Sequence, residues 1–133
     1  MPDNRTEIKK LLDAADAEVD AAKRLLVPPI NLLVFYHLQQ TAEKILKAVR
    51  LHRGFINTKE HDLTFLIDGN SVKALPPLPQ ADPWRVRFQP LEFLAAYATT
   101  YRYTLKNQPN PSDPQIALQL LTAHLSTARI ELL

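Results

Sequence analysis

Apolar residues recur at three- and four-residue steps along most of the chain. Ile8, Leu11, Ala15, Val19, Ala22 and Leu26 form one such series and predict an amphipathic helix over residues 4–26, ended by Pro28-Pro29. A second series, Phe35, Leu38, Ala42, Ile45 and Val49, predicts a helix from about Asn31 to His52. Gly54 stands where a left-handed C-terminal cap is cheap, behind Arg50, His52 and Arg53, whose charges suit that end of a helix dipole.

The middle of the chain is less regular. "NTKEHDLTFLIDG" predicts a short helix over Glu60–Ile67 closed by Gly69, whereas "SVKALPPLPQADPW" is too rich in proline for a regular element. Pro90 suits the first turn of a third long helix, Leu91 to Tyr103. "KNQPNPSDP" predicts a further loop. At its end Asp113 is placed to cap a last helix, Pro114 fits its first position, and Ile116, Leu120, Ala123, Thr127 and Ile130 continue its period. These elements predict an all-α chain, a single domain over residues 1–133, folded as an antiparallel up-and-down bundle of four main helices plus one short helix. The connection from Asn70 to Gln89 is long, and Trp84 is expected to pin it to the bundle.

Composition supports this picture. Two glycines against eleven prolines disfavour hairpins and suit helices joined by stiff loops. The absence of cysteine excludes disulfides and thiolate metal sites and is compatible with a reducing cytosol. The charged beginning, "MPDNRTEIKKLLDAAD", is unlike a signal peptide, and no apolar run reaches membrane-spanning length, so a cytoplasmic protein without membrane contact is expected. A net charge of +2 does not demand a nucleic-acid partner.

The candidate chemistry begins on the second helix. At about 100° per residue, His37, Gln40, Lys44 and Lys47 fall in one sector about 80° wide, nearly opposite the apolar series. Such a row is either an ordinary wet face or a rim that meets anions or a second subunit. Leu33 and Leu51 share its sector, and "INLLVF" is apolar on every side, which favours something packed beside it.

"FYHLQQTAEKILKAV" resembles the signature helix of HEPN domains (higher eukaryotes and prokaryotes nucleotide-binding), with Phe35/Tyr36, His37, Gln39, Gln40, Glu43, Lys44 and Lys47 in register. Two further segments resemble the family in order. "KEHDLTFLI" supplies His61, Asp62 and Leu63, with Glu60 where the family has Thr. "TTYRYTL" supplies Thr100, Arg102 and Tyr103, with Thr104 where the family has Pro. The resemblance implies a nucleotide- or RNA-interacting module, a homodimer, and a minimal nucleotidyltransferase as partner chain in a toxin–antitoxin-like pair.

Many family members resemble metal-independent ribonucleases in which an Arg precedes a His by four to six residues near the start of the last helix. Here that spacing is absent: Arg53 and His61 have seven residues between them, and His124 lies twenty-two positions after Arg102. No catalytic residue is therefore assigned. A divergent ribonuclease using Arg102 with His124 or His61, and a purely structural dimerisation module, are the alternatives. The expected ligand-binding set is His37, Gln40, Lys44, Lys47, His61, Tyr101, Arg102 and Tyr103. Arg102 between two tyrosines suits phosphate pairing or base stacking. No metal or other cofactor is expected, since no His/carboxylate pair has helical ligand spacing.

Overall fold

The computed structural model describes residues 4–27, 33–97 and 113–133. Among these, every regular element is helical: α1 (Arg5–Leu25), α2 (Leu33–His52), α3 (Leu63–Asp68), α4 (Pro83–Phe88), a 3₁₀ segment (Gln89–Tyr97) and α5 (Asp113–Leu132). The molecule is an all-α helical bundle.

α2 is its axis. The predicted series Phe35, Leu38, Ala42, Ile45 and Val49 is buried, but so are Gln39, Thr41, Glu43 and Arg50. None of residues 33–51 is fully exposed. α1 covers one side of α2, α5 a second, and α3 with the 3₁₀ segment a third. The Asn4 side chain donates to the Leu51 carbonyl, tying the start of α1 to the end of α2, so the two helices run antiparallel. α1 buries Ile8, Leu12, Ala15, Val19 and Ala22, while predicted Leu11 stays half-buried beside Leu12. Asp13 and Asp16 of α1 both take Arg129 of α5.

α5 forms as predicted but turns a different face inward. Ala117, Leu121, Leu125, Ala128 and Leu132 are buried, whereas Ile116 is 54% and Ile130 83% exposed. Two apolar series, one residue apart, run along this helix. Packing selects the one with the larger leucines, which α1 and α2 can cover.

The long connection also departs from expectation. Asn70 and Leu75 exchange backbone hydrogen bonds (2.8 and 2.9 Å) around a tight turn. That turn needs Gly69: its φ is +76°, and a Cβ there would stand 2.6 Å from the Leu75 carbonyl oxygen. Gly54, at φ +91°, takes the left-handed conformation expected beyond α2. Residues 83–88, read as loop, form α4. Asp82 accepts from the Trp84 amide at 3.0 Å and Pro83 fills the first helical turn, the same start signal read at Asp113-Pro114. The predicted helix over 91–103 is a 3₁₀ segment as far as Tyr97, and its remainder lies outside the described residues. Trp84 does pin the connection: it is fully buried, with its ring 6.0 Å from Phe88 and 6.1 Å from His124.

Candidate functional site

Gln39, Glu43 and Lys47 succeed one another at four-residue steps, so they form one ridge on α2. The ridge lies between the core series and the polar row, on the flank covered by α3 and the segment before it. Glu43 is only 1% exposed, yet its carboxylate is fully engaged. Lys47 Nζ lies 3.2 Å from Oε2. The His61 Nδ1–H donates to the carboxylate, 3.1 and 3.2 Å from its two oxygens. Gln39 Nε2 donates to the His61 carbonyl at 2.9 Å and, more weakly, to Glu43 Oε1 at 3.4 Å, while Gln40 Nε2 donates to Gln39 Oε1 at 2.7 Å. A buried carboxylate is costly unless paired and hydrogen-bonded, and these groups meet both conditions.

The segment carrying His61 is ordered by its own side chains. Thr58 Oγ1 accepts from the Glu60 amide at 3.1 Å. Glu60 Oε2 accepts from the amides of His61 and Asp62 at 3.0 and 3.1 Å. Asp62 caps α3 by accepting from the Thr64 amide at 2.8 Å. Lys73 closes the group on Glu60 at 3.0 Å. Burial opposes the Glu60 charge, but the Asp62 amide, Lys73 and the His61 amide outweigh it and hold that carboxyl below its ordinary range.

The result is an imidazole fixed at one nitrogen and open at the other. The His61 side chain is 60% exposed, and its Nε2 has no hydrogen-bond partner among the described residues. It lines an open groove of about 310 Å³ with Thr58, Lys59, Glu60, Lys73 and Leu75. With Nδ1–H held by Glu43, Nε2 is free to accept a hydrogen bond when neutral or to donate one when protonated.

The predicted site residues therefore divide. Gln40, Lys47 and His61 come together, joined by Gln39 and Glu43, which had been read only as part of the family signature. The signal for those two was their spacing with Lys47. His37 goes elsewhere: its Nδ1 lies 2.6 Å from Glu18 on α1, so it clamps two helices. Lys44 is half-buried and makes no hydrogen bond or ion pair among the described residues. The row is not a fully exposed face: His37, Gln40, Lys44 and Lys47 are all half-buried. Tyr101, Arg102 and Tyr103 lie outside the described residues.

His124 has a structural task. Its Nε2–H donates to the Arg87 carbonyl at 2.8 Å, and its ring packs against Trp84 and Phe88. Burial pushes its pKa down; the Arg87 carbonyl works against that shift, while the Arg87 charge adds to it.

The profile of the HEPN domain matches residues 8–124, a span that holds the whole network. The chain is a member of the HEPN family. No curated protein and no solved structure matches it. As a HEPN domain it is, at the level of the family, a nucleotide- or RNA-related module. Among the described residues no helix is long and apolar enough to cross a membrane.

Proposed function

We propose that this HEPN domain binds the phosphates of a nucleotide or RNA at the groove beside His61. The observation that carries this reading is the Glu43-anchored imidazole, whose second nitrogen is unclaimed and whose groove is also lined by Lys59 and Lys73. When protonated, the held imidazole is a fixed donor, and with Lys59 and the Glu60-paired Lys73 beside it the groove suits an anion with several acceptor oxygens. Lys44 adds an uncommitted charge on α2, and Arg102, with Tyr101 and Tyr103 for stacking, would complete the site as the family resemblance implies. A homodimer, and a minimal nucleotidyltransferase partner in a toxin–antitoxin-like pair, belong to the same proposal.

Calorimetric titration with ATP and with a short single-stranded RNA tests the reading on wild type and on His61→Ala, Lys44→Ala and Arg102→Ala. Binding by wild type, weakened at least about tenfold by His61→Ala, is the expected result; a salt bridge and a charge-assisted hydrogen bond together are worth about that factor. No binding by wild type removes the site. Equal affinity in all four proteins moves it elsewhere on the surface.

The same imidazole supports a second reading, a metal-independent ribonuclease with His61 moving the proton of an attacking 2′-hydroxyl. His124 is a poor choice for that role because its Nε2 is bonded to Arg87. RNA cleavage that survives EDTA and is abolished by His61→Ala would favour this reading; RNA left intact at high protein concentration would reject it.

A further inference from the structure

A cavity of about 130 Å³ lies on the far side of α3 from the groove residues Lys59 and Lys73, between α3 and the α4–3₁₀ arm. Leu63, Ile67, Phe88 and Leu91, all buried, give it an apolar floor. Thr64, Asp68 and Glu92, all exposed, stand at its mouth. Asp68 is engaged by Arg85 at 2.8 Å. Glu92 makes no hydrogen bond or ion pair among the described residues. One carboxylate paired with Arg85 and one uncommitted carboxylate, Glu92, thus rim an apolar hole.

We propose that this cavity is a socket for a lysine side chain of a partner polypeptide, its alkyl stem on the apolar floor and its ammonium at Glu92. The size fits: an apolar cavity of this order holds a ligand of about six heavy atoms, roughly the span of a lysine stem and its nitrogen. The charge fits as well. An anion would meet the uncommitted Glu92 carboxylate, since Asp68 is already paired with Arg85, and a purely apolar ligand would make no use of Glu92. Lysine buries its stem along apolar surface while its head stays at the water boundary, which is the division this cavity offers.

The test is an NMR titration of the ¹⁵N-labelled full chain with capped Gly-Lys-Gly, its norleucine counterpart, its arginine counterpart and n-butylammonium. The lysine peptide should shift the amides of Thr64, Ile67 and Glu92. Norleucine should bind roughly two- to fivefold more weakly, the range a rim ion pair supplies. Glu92→Gln, a change at an exposed position, should reduce lysine binding to the norleucine level. Equal affinities for lysine and norleucine, or an unchanged lysine affinity in Glu92→Gln, would overturn the proposal. So would unperturbed amides at this cavity with every ligand. Tighter binding of the arginine peptide would reject lysine as the occupant. Butylammonium binding as tightly as the lysine peptide would assign the socket to small amines instead of a polypeptide.

Discussion

α2 carries two buried charges, Glu43 and Arg50, which are seven residues apart on the same flank and each 1% exposed. Their surroundings differ completely. Glu43 is paired with Lys47 and hydrogen-bonded by His61, which reaches the solvent. Among the described residues Arg50 has no carboxylate partner. Its Nη1 donates to the carbonyls of Leu66 (3.0 Å) and Pro76 (2.8 Å), and its guanidinium lies 4.6 Å over the Phe55 ring. Its Nε and Nη2 have no hydrogen-bond partner among the described residues. Burial lowers its pKa, yet arginine keeps its proton in proteins. Arg50 therefore staples α3, the 70–78 turn and the chain after α2 to one point, and it is sealed from ligands. Glu43 instead orients an exposed ring. The same cost of burial serves a scaffold in one place and a candidate site in the other.

The largest effect expected from breaking this contrast is at Arg50. Arg50→Ala leaves two carbonyls unsatisfied and a void between three segments, and should destabilise the fold by about 3–5 kcal/mol in urea unfolding. A loss below about 1 kcal/mol would mean that the staple is dispensable. Glu43→Gln should cost less, about 2 kcal/mol, because Lys47 is left near-buried without its counter-charge while His61 can turn to water. It should also weaken nucleotide binding by releasing the imidazole, which the same titration would register. His61→Ala removes a largely exposed ring and one partner of Glu43, which keeps Lys47 and Gln39, so stability should fall by only about 1 kcal/mol while binding weakens at least about tenfold. That separation between stability and binding is what distinguishes the site from the scaffold.

His124 sharpens the comparison further, as an ionisable group buried in its neutral form. Its folded pKa lies below the ordinary histidine value of about 6.5, so the unfolded chain takes up a proton first as pH falls. Stability should accordingly decline as pH drops through about 6.5 and continue to do so until the folded imidazole is protonated as well. His124→Gln retains a donor for the Arg87 carbonyl and removes this ionisation. Urea unfolding at pH 7.5 and 5.5 should then show a smaller decline than wild type.

Much of the fold was legible because its causes are local. The termini of α1 and α2 and the roles of Gly54 and Gly69 follow from capping chemistry, backbone sterics and period, whereas α3 starts at Leu63 behind an Asp62 cap and not at the expected Glu60. The misreadings share one cause, two acceptable local answers. α5 has two apolar series one residue apart, and Asp82-Pro83 was a helix start hidden in a proline-rich stretch. The site was legible only in part. Lys47, Gln40 and His61 were found by type and by resemblance, but Glu43 was missed as the group that joins them. A carboxylate on the flank of an amphipathic helix looks solvated until something covers it.

By itself the sequence determined the helical class, most of the element boundaries and the membership in the HEPN family, since these depend on spacing, capping and ordered motifs. Only the tertiary structure decided that α2 is surrounded, that His37 is a clamp and Glu43 an anchor, and that Arg50 is enclosed, without a counter-charge among the described residues. Burial is the physical reason. Whether a polar side chain is solvated, paired or sealed depends on which elements pack over it, and the segments that cover Glu43 and Arg50 come from residues 55–76, distant from α2 in the pattern that defines it.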